Sequence, residues 1–386
     1  MRLAIGGMGW VTPLGSGVPE VWQRLMNGET AVAETISSPL SDHTYPVFRV
    51  PPEAIADAPA HPRLRRSSAI SRFAVVAGLA ALKDARVDLD DAAAERTAII
   101  FAISNGGVVY TKRFYHEVVE SGAQAASPLL FPETVFNAPA SHLAAILGIT
   151  GASYTLVGDG AVGLLALKMA EDLMQNPALD RCLVVGAEEA DWLLCDAYRR
   201  WHLLRAAPPV ELFQDKPRGM ILSEGAGAVL LETETEGRAS ARPGRSEDRP
   251  SASTLRIEQI DSGCNFRSQK EAAACVEEVL SRLGANDHDL IIASANGTFV
   301  DRAERAAMTK ICPRARVYSP KVSLGESVGA SSLWQIICAA QALATKQLPP
   351  MPHASGEKDL SCARAVLSSC ALNQQVAGLS LSRSKA

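Results

Sequence analysis

Several things are missing from this chain, and each absence closes a class of function. There is no excess of positive charge: 38 Lys and Arg against 42 Asp and Glu leave a net charge of −4. No basic block or basic stripe interleaved with aromatics appears, so nucleic acid is excluded as a partner. No apolar run reaches about 18 residues without a charge or a breaker, which excludes a membrane-spanning helix. The eight cysteines (Cys182, Cys195, Cys264, Cys275, Cys312, Cys338, Cys362, Cys370) are scattered and form no CxxC pair. With no His/Cys cluster at ligand spacing, neither a metal nor any other cofactor is expected. Met1-Arg2-Leu3-Ala4-Ile5 carries one charge and a short apolar run, which reads as a β-strand rather than a secretory leader, so a reduced, cytoplasmic protein is expected.

What is present is alternation. Short apolar runs, among them Leu3–Gly6, Thr97–Ala102, Ser153–Val157, Cys182–Val185, Gly225–Leu231, Leu255–Ile260 and Leu290–Ala293, alternate with amphipathic helical patterns. The helical segments include Ser68–Ala85, Ala138–Leu147, Ala161–Asn176, Gln269–Leu283 and Ser327–Ala344. Strands separated by helices of this length predict an α/β fold with a largely parallel sheet. Residues 236–254 are rich in Gly, Pro, Ser and charge and lack apolar periodicity, as an exposed loop or linker would. They divide the chain into lobes at 1–235 and 255–386. A weak internal echo relates Ile5-Gly6-Gly7-Met8-Gly9-Trp10-Val11-Thr12 to Ala293-Ser294-Ala295-Asn296-Gly297-Thr298.

Five segments in order resemble the β-ketoacyl synthase family. The opening Ile5 to Gly15 is similar to the family's first strand and G-x-G-x-V-T-P-L-G turn, and Trp22, Leu25 and Gly28 follow at its W-x-x-L-x-x-G spacing. Phe131 to Ala140 resembles the stretch preceding the nucleophile, Glu224 to Glu232 the E-G-A-G strand, and Lys321 to Ala330 the K-x-x-x-G-H-x-x-G-A segment. The resemblance implies a thiolase-like, five-layered αβαβα fold built from two pseudo-symmetric lobes.

It also implies a site, and here the chain departs from the family. Gly160, in Val157-Gly158-Asp159-Gly160-Ala161, falls on the nucleophilic cysteine, and glycine offers nothing to acylate. The eight cysteines all lie elsewhere, so this position alone is cysteine-less. Asn296 stands on the first catalytic histidine and Glu326 on the second, while Lys321 is retained. The loop that reads G-F-G-G in the family is Cys370-Ala371-Leu372-Asn373-Gln374-Gln375, without glycine. Asp159 is expected to cap the helix that follows it. Condensation needs a thiolate and two donors for a developing enolate; Asn296 can donate one hydrogen bond, whereas an ionised Glu326 only accepts, or else simply pairs with Lys321 inside a former pocket. No catalytic residue is therefore expected.

Within the family, a subunit that keeps the fold and loses this cysteine resembles the chain-length factor of heterodimeric type II polyketide or polyene synthases. The resemblance implies an active ketosynthase as partner, an acyl carrier protein reached through that complex, and relatives in aryl polyene and fatty-acid-like pathways. It places the acyl-tunnel gates at Val108, Thr111 and Tyr115, which at spacing i, i+3, i+7 share one helix face. It places the dimer interface at Tyr154, Thr155, Leu156 and Val157. Two other readings remain open: a homodimeric acyl-binding scaffold, and a thioesterase or acyltransferase with a relocated site, for instance at Cys195.

Overall fold

The computed structural model describes residues 2–233, 255–351 and 359–383; the expected linker, 236–254, lies outside them but for Leu255 beyond its end. The strand β1 (Leu3–Thr12) and helix α1 (Val18–Met26) open the chain, and α2 (Ala69–Ala85) follows. Then come β2 (Thr97–Ile103), α3 (Val108–Ser121), α4 (Ala138–Leu147), β3 (Ser153–Val157), α5 (Val162–Leu173), β4 (Arg181–Glu188), α6 (Trp192–Arg200) and β5 (Gly225–Thr233). The second half runs β6 (Leu255–Asn265), α7 (Ala272–Arg282), β7 (Leu290–Ile292), α8 (Phe299–Ile311), β8 (Arg316–Tyr318), α9 (Ser331–Thr345), β9 (Arg364–Cys370) and β10 (Gln375–Arg383).

The strand order is β8-β7-β9-β10-β6-β1-β5-β4-β2-β3. Read outward from the centre, each half therefore places its first, fifth, fourth, second and third strand in the same sequence. Within each half the outer three strands run parallel and the inner pairings are antiparallel. The expected two pseudo-symmetric lobes are present, but the largely parallel sheet is corrected to a mixed one. Helical crossovers join only the first four strands of each half; the fifth returns antiparallel, in the second half through the four-residue turn 371–374. The halves meet where Leu3 and Ala4 of β1 pair with Ile257 and Arg256 of β6. Two residue pairs hold the seam, and the sheets pack face to face around it.

Packing makes five layers. α5 and α9 share the central core with the inward side chains of both sheets, such as Ile100, Val184, Ile292 and Leu367. α2 and α4 cover the outer face of the first sheet at Ile99, Phe101 and Leu183. α7 and α8 cover that of the second at Ile291, Val366 and Val376. α9 buries 12 of its 15 residues, as a helix apolar on all sides must. The small residues of the sequence motifs set these distances. A Cβ on Gly9 would lie 1.9 Å from the Ala77 carbonyl of α2, and one on Gly163 would lie 2.3 Å from Ser332 Oγ of α9. A side chain at either position would force layers apart.

The internal echo read from the sequence pairs the wrong strands. β7, which ends at Ile292, is the second strand of its half and corresponds to β2; the counterpart of β1 is β6. Gly6, Gly7 and Gly9 lie within β1 itself, whereas Asn296-Gly297-Thr298 follows the end of β7, so the two stretches are not equivalent.

Candidate functional site

The first half contributes an elbow. β3 ends at Val157, the chain turns through Gly158-Asp159-Gly160-Ala161, and α5 begins at Val162. Gly160 is buried but not crowded: a Cβ there would meet only the Ala371 Cα at 3.5 Å and the Cys370 carbonyl at 4.0 Å, ordinary contact distances. The elbow thus has room for a side chain and carries none. The expectation that Asp159 caps α5 is corrected: its side chain makes no cap bond to the helix, and its main-chain carbonyl receives the Val162 N–H at 2.7 Å. The carboxylate instead accepts the Gly160 N–H at 2.7 Å and, across the halves, the Asn373 N–H at 2.6 Å. Desolvation pushes its pKa up, opposed by those two N–H donors.

The second half contributes three linked side chains. Glu326 Oε2 accepts from Lys321 Nζ at 2.7 Å and from Asn296 Nδ2 at 2.6 Å. Lys321, Glu326 and Asn296 are each 2% exposed. Asn296 is itself fixed, because its Oδ1 accepts from Thr298 Oγ1 at 2.7 Å and its main-chain N–H reaches Asp301 at 2.8 Å. Glu326 Oε1 has no partner among the described residues. The Asn296 carboxamide, the one expected donor for an oxyanion, is therefore already engaged, donating to Glu326 and, at 3.8 Å, to Met220 Sδ. At Gly160 the elbow offers no side chain to acylate, and Glu326 stands as a carboxylate already bonded to Lys321 and Asn296.

Three further buried polar residues, which the sequence did not point to, are linked electrostatically to these groups or to one another. Tyr198 of α6 is buried, hydrogen-bonded with Asn105, and has its pKa pushed up first by burial and then by Asp159 and Glu188. Glu188, at the end of β4, accepts the Ser104 and Asn105 N–H groups at 3.0 and 3.1 Å, and burial lifts its pKa to about 8. Glu304 of α8 accepts from Ser294 and Ser368 and is lifted to about 7, again by burial. Buried acids such as Glu188 and Glu304 are visible in the sequence only as isolated Glu residues, with no periodic signal. Cys195 is fully buried, and desolvation, with Asp191 and Asp196 nearby, raises its thiol to about 12. It makes no relocated nucleophile. His142 hydrogen-bonds Glu133 at 2.5 Å, as a structural histidine.

The positions assigned to the tunnel and the interface lie together on the first half's outer edge. Gly107 precedes α3, as the Asn105-Gly106-Gly107 turn predicts. Val108 and Thr111 are half-buried, whereas Tyr115 is 65% exposed, so this chain alone builds no floor from it. Among the described residues β3 pairs only with β2. On it, Tyr154 is 44% and Val157 53% exposed, while Leu156 packs on the central core. Thr155 Oγ1 is buried with no partner among the described residues. Exposed Val119, Phe131, Val135 and Phe136 extend the apolar surface around α3. Among the described residues no helix is long and apolar enough to cross a membrane, and no group of His, Cys, Asp or Glu could hold a metal ion.

Residues 1–237 match the family described as β-ketoacyl synthase, N-terminal domain, and residues 256–355 match its C-terminal domain. Nodulation protein E of Rhizobium sp. (strain N33) is 24% identical over 361 residues, 90% of this chain and 88% of its own. The 3-oxoacyl-(acyl-carrier-protein) synthase 2 of Staphylococcus aureus (strain N315) is 24% identical over 240 residues, 60% of this chain and 58% of its own. Among solved structures, the ishigamide ketosynthase/chain length factor superposes with a TM-score of 0.85 at 21% identity, covering 100% of this chain and 99% of that one. A ketosynthase in complex with its chain length factor from Xenorhabdus doucetiae gives 0.78 at 17% identity, covering 99% and 98%. At these identities the superpositions show a shared fold.

Proposed function

The chain belongs to the β-ketoacyl synthase family, and from that premise we propose that it is a non-catalytic, chain-length-factor-like subunit that pairs with an active ketosynthase. One observation carries this reading: the elbow is intact and has space for a side chain at Gly160, yet the second half's buried Lys321, Glu326 and Asn296 have closed on one another. The scaffold is kept while the chemistry is gone, as in a subunit whose value to the complex is its shape.

The partner supplies the thiolate and takes the acyl group from an acyl carrier protein. This chain supplies a wall of the tunnel in which a polyketide, polyene or fatty-acid-like chain grows. Val108, Thr111 and Tyr115 line it from α3, and Tyr154, Thr155, Leu156 and Val157 form the seam between subunits. An apolar edge strand with an unpartnered Thr155 hydroxyl favours a second strand laid alongside it. Cys195, being buried and hard to ionise, argues against a relocated thiol enzyme.

Co-expression with an intact ketosynthase tests the proposal. A one-to-one complex whose product formation requires this chain is expected. In that complex Val108→Phe shortens the products without stopping turnover, and Tyr115→Ala lengthens or broadens them. An acyl-enzyme on the isolated chain, or ketoacyl formation by it from malonyl thioesters, would overturn the reading.

A further inference from the structure

The turn between β9 and β10 belongs to the second half, yet it rests on the elbow of the first. Both faces of the Gly160 peptide group are engaged from there or tied to it. Ser369 Oγ donates to the Gly160 carbonyl at 2.8 Å. On the other side, one oxygen of Asp159 takes the Gly160 N–H while the second takes the Asn373 N–H at 2.6 Å. The Ala371 Cα stands 3.5 Å from where a Cβ on Gly160 would be. The far side of the turn is held as well, by the Ala371 N–H on the Gln375 carbonyl at 2.7 Å and the Phe266 N–H on the Gln374 carbonyl at 2.6 Å. No glycine lies between Cys370 and Gln375 to act as a hinge.

The geometry points to Asp159 as a latch: its carboxylate clamps the 371–374 turn shut over the elbow and closes the space above Gly160 to an incoming acyl thioester. The reason for a carboxylate here is its two oxygens. One satisfies the tight turn into α5, and the other is left to reach across the halves with a charge-assisted bond, stronger than one between neutral groups. An uncharged residue at 159 would leave the Asn373 N–H, the Gly160 N–H or both without an acceptor. The latch is independent of whether a ketosynthase partner exists, since it needs only this chain.

Hydrogen exchange at single-amide resolution tests it on the protein as it stands. Asn373 and Gln374 are both exposed residues of the same turn, and only the first donates its N–H to Asp159. The Asn373 amide should exchange at least about tenfold more slowly than that of Gln374, and Asp159→Asn should remove most of the difference. A second readout uses Gly160→Cys, alone and combined with Asp159→Asn, alkylated by iodoacetamide. Each rate is taken at the plateau of its own pH profile, so that the effect of the neighbouring charge on thiol ionisation drops out. The thiol introduced at position 160 should react at least about tenfold faster in the double variant. Equal exchange of the two amides in the wild-type chain, or alkylation rates within about twofold of each other, would show that the turn is not held by Asp159 and sink the idea.

Discussion

The crossover from β2 to β3 and its counterpart from β7 to β8 begin alike. Asn105-Gly106-Gly107 and Asn296-Gly297-Thr298 each follow the second strand of a half, and each puts a glycine at positive φ, 60° at Gly106 and 89° at Gly297. From there they diverge. In the second half the chain goes directly into α8, which buries Phe299, Val300, Ala303, Ala307 and Met308 together with the acids Asp301 and Glu304. In the first half it makes an excursion through α3 and the turn Phe131–Thr134 before reaching α4, and α3 buries none of its residues. The edge strands differ in the same sense. β8 has three residues, none of them among the exposed large hydrophobics, whereas β3 has five and leaves Tyr154 and Val157 out. One topology thus serves two purposes: the second half seals a buried polar network, and the first keeps an apolar edge and helix uncovered.

The largest test of this contrast is on the sealed side. Lys321→Met strands the Glu326 carboxylate in a site where it is 2% exposed, and should cost about 3–5 kcal/mol in urea unfolding. The double variant Lys321→Met/Glu326→Leu should recover most of that loss, which would identify the pair as a structural replacement for the lost chemistry. The open side should answer differently. Tyr154→Lys/Val157→Lys should leave the unfolding free energy within ~0.5 kcal/mol of wild type while weakening subunit association at least about 100-fold, read by analytical ultracentrifugation. A fold destabilised as much as the association would make β3 ordinary core.

The buried acids give a smaller, pH-dependent effect. Glu188 and Glu304 have folded-state pKa values raised to about 8 and about 7 from 4.5, so the native state binds protons that the unfolded chain releases. Their contribution to stability is fully present below 4.5 and is lost as pH rises through those values. Thermal stability should therefore fall between about pH 5 and pH 8, and Glu304→Gln should flatten the curve by about 2 kcal/mol across that range. The smallest effect is expected at the elbow. Gly160→Cys should change stability by no more than ~0.5 kcal/mol, because the Cβ finds ordinary contacts, and should form no ketoacyl product by itself. Condensation by that single variant would mean that Asn296 and Glu326 still serve the chemistry.

The sequence by itself determined the alternation of strands and helices, the family, and the absence of a nucleophile at Gly160. These are readable because they are local: periodicity sets the element, and a missing side chain is missing in any fold. What it could not give depends on which distant residues meet. A Glu326–Lys321 pair was readable from the sequence, but only the fold showed Asn296 joining it, with Oε2 shared between Lys321 and Asn296 at 2.7 and 2.6 Å. Asp159 had the position and composition of a helix cap, but packing the second half's turn against the elbow offered it the Asn373 N–H, 214 residues away. Parallel and antiparallel strands share one side-chain period, so the mixed sheet was invisible until the fifth strand of each half returned between its first and fourth. The open edge was legible only through the family resemblance, which placed Tyr154 and Val157 at an interface. By periodicity alone they are strand residues like any others, and their exposure follows from β3 standing last in the sheet.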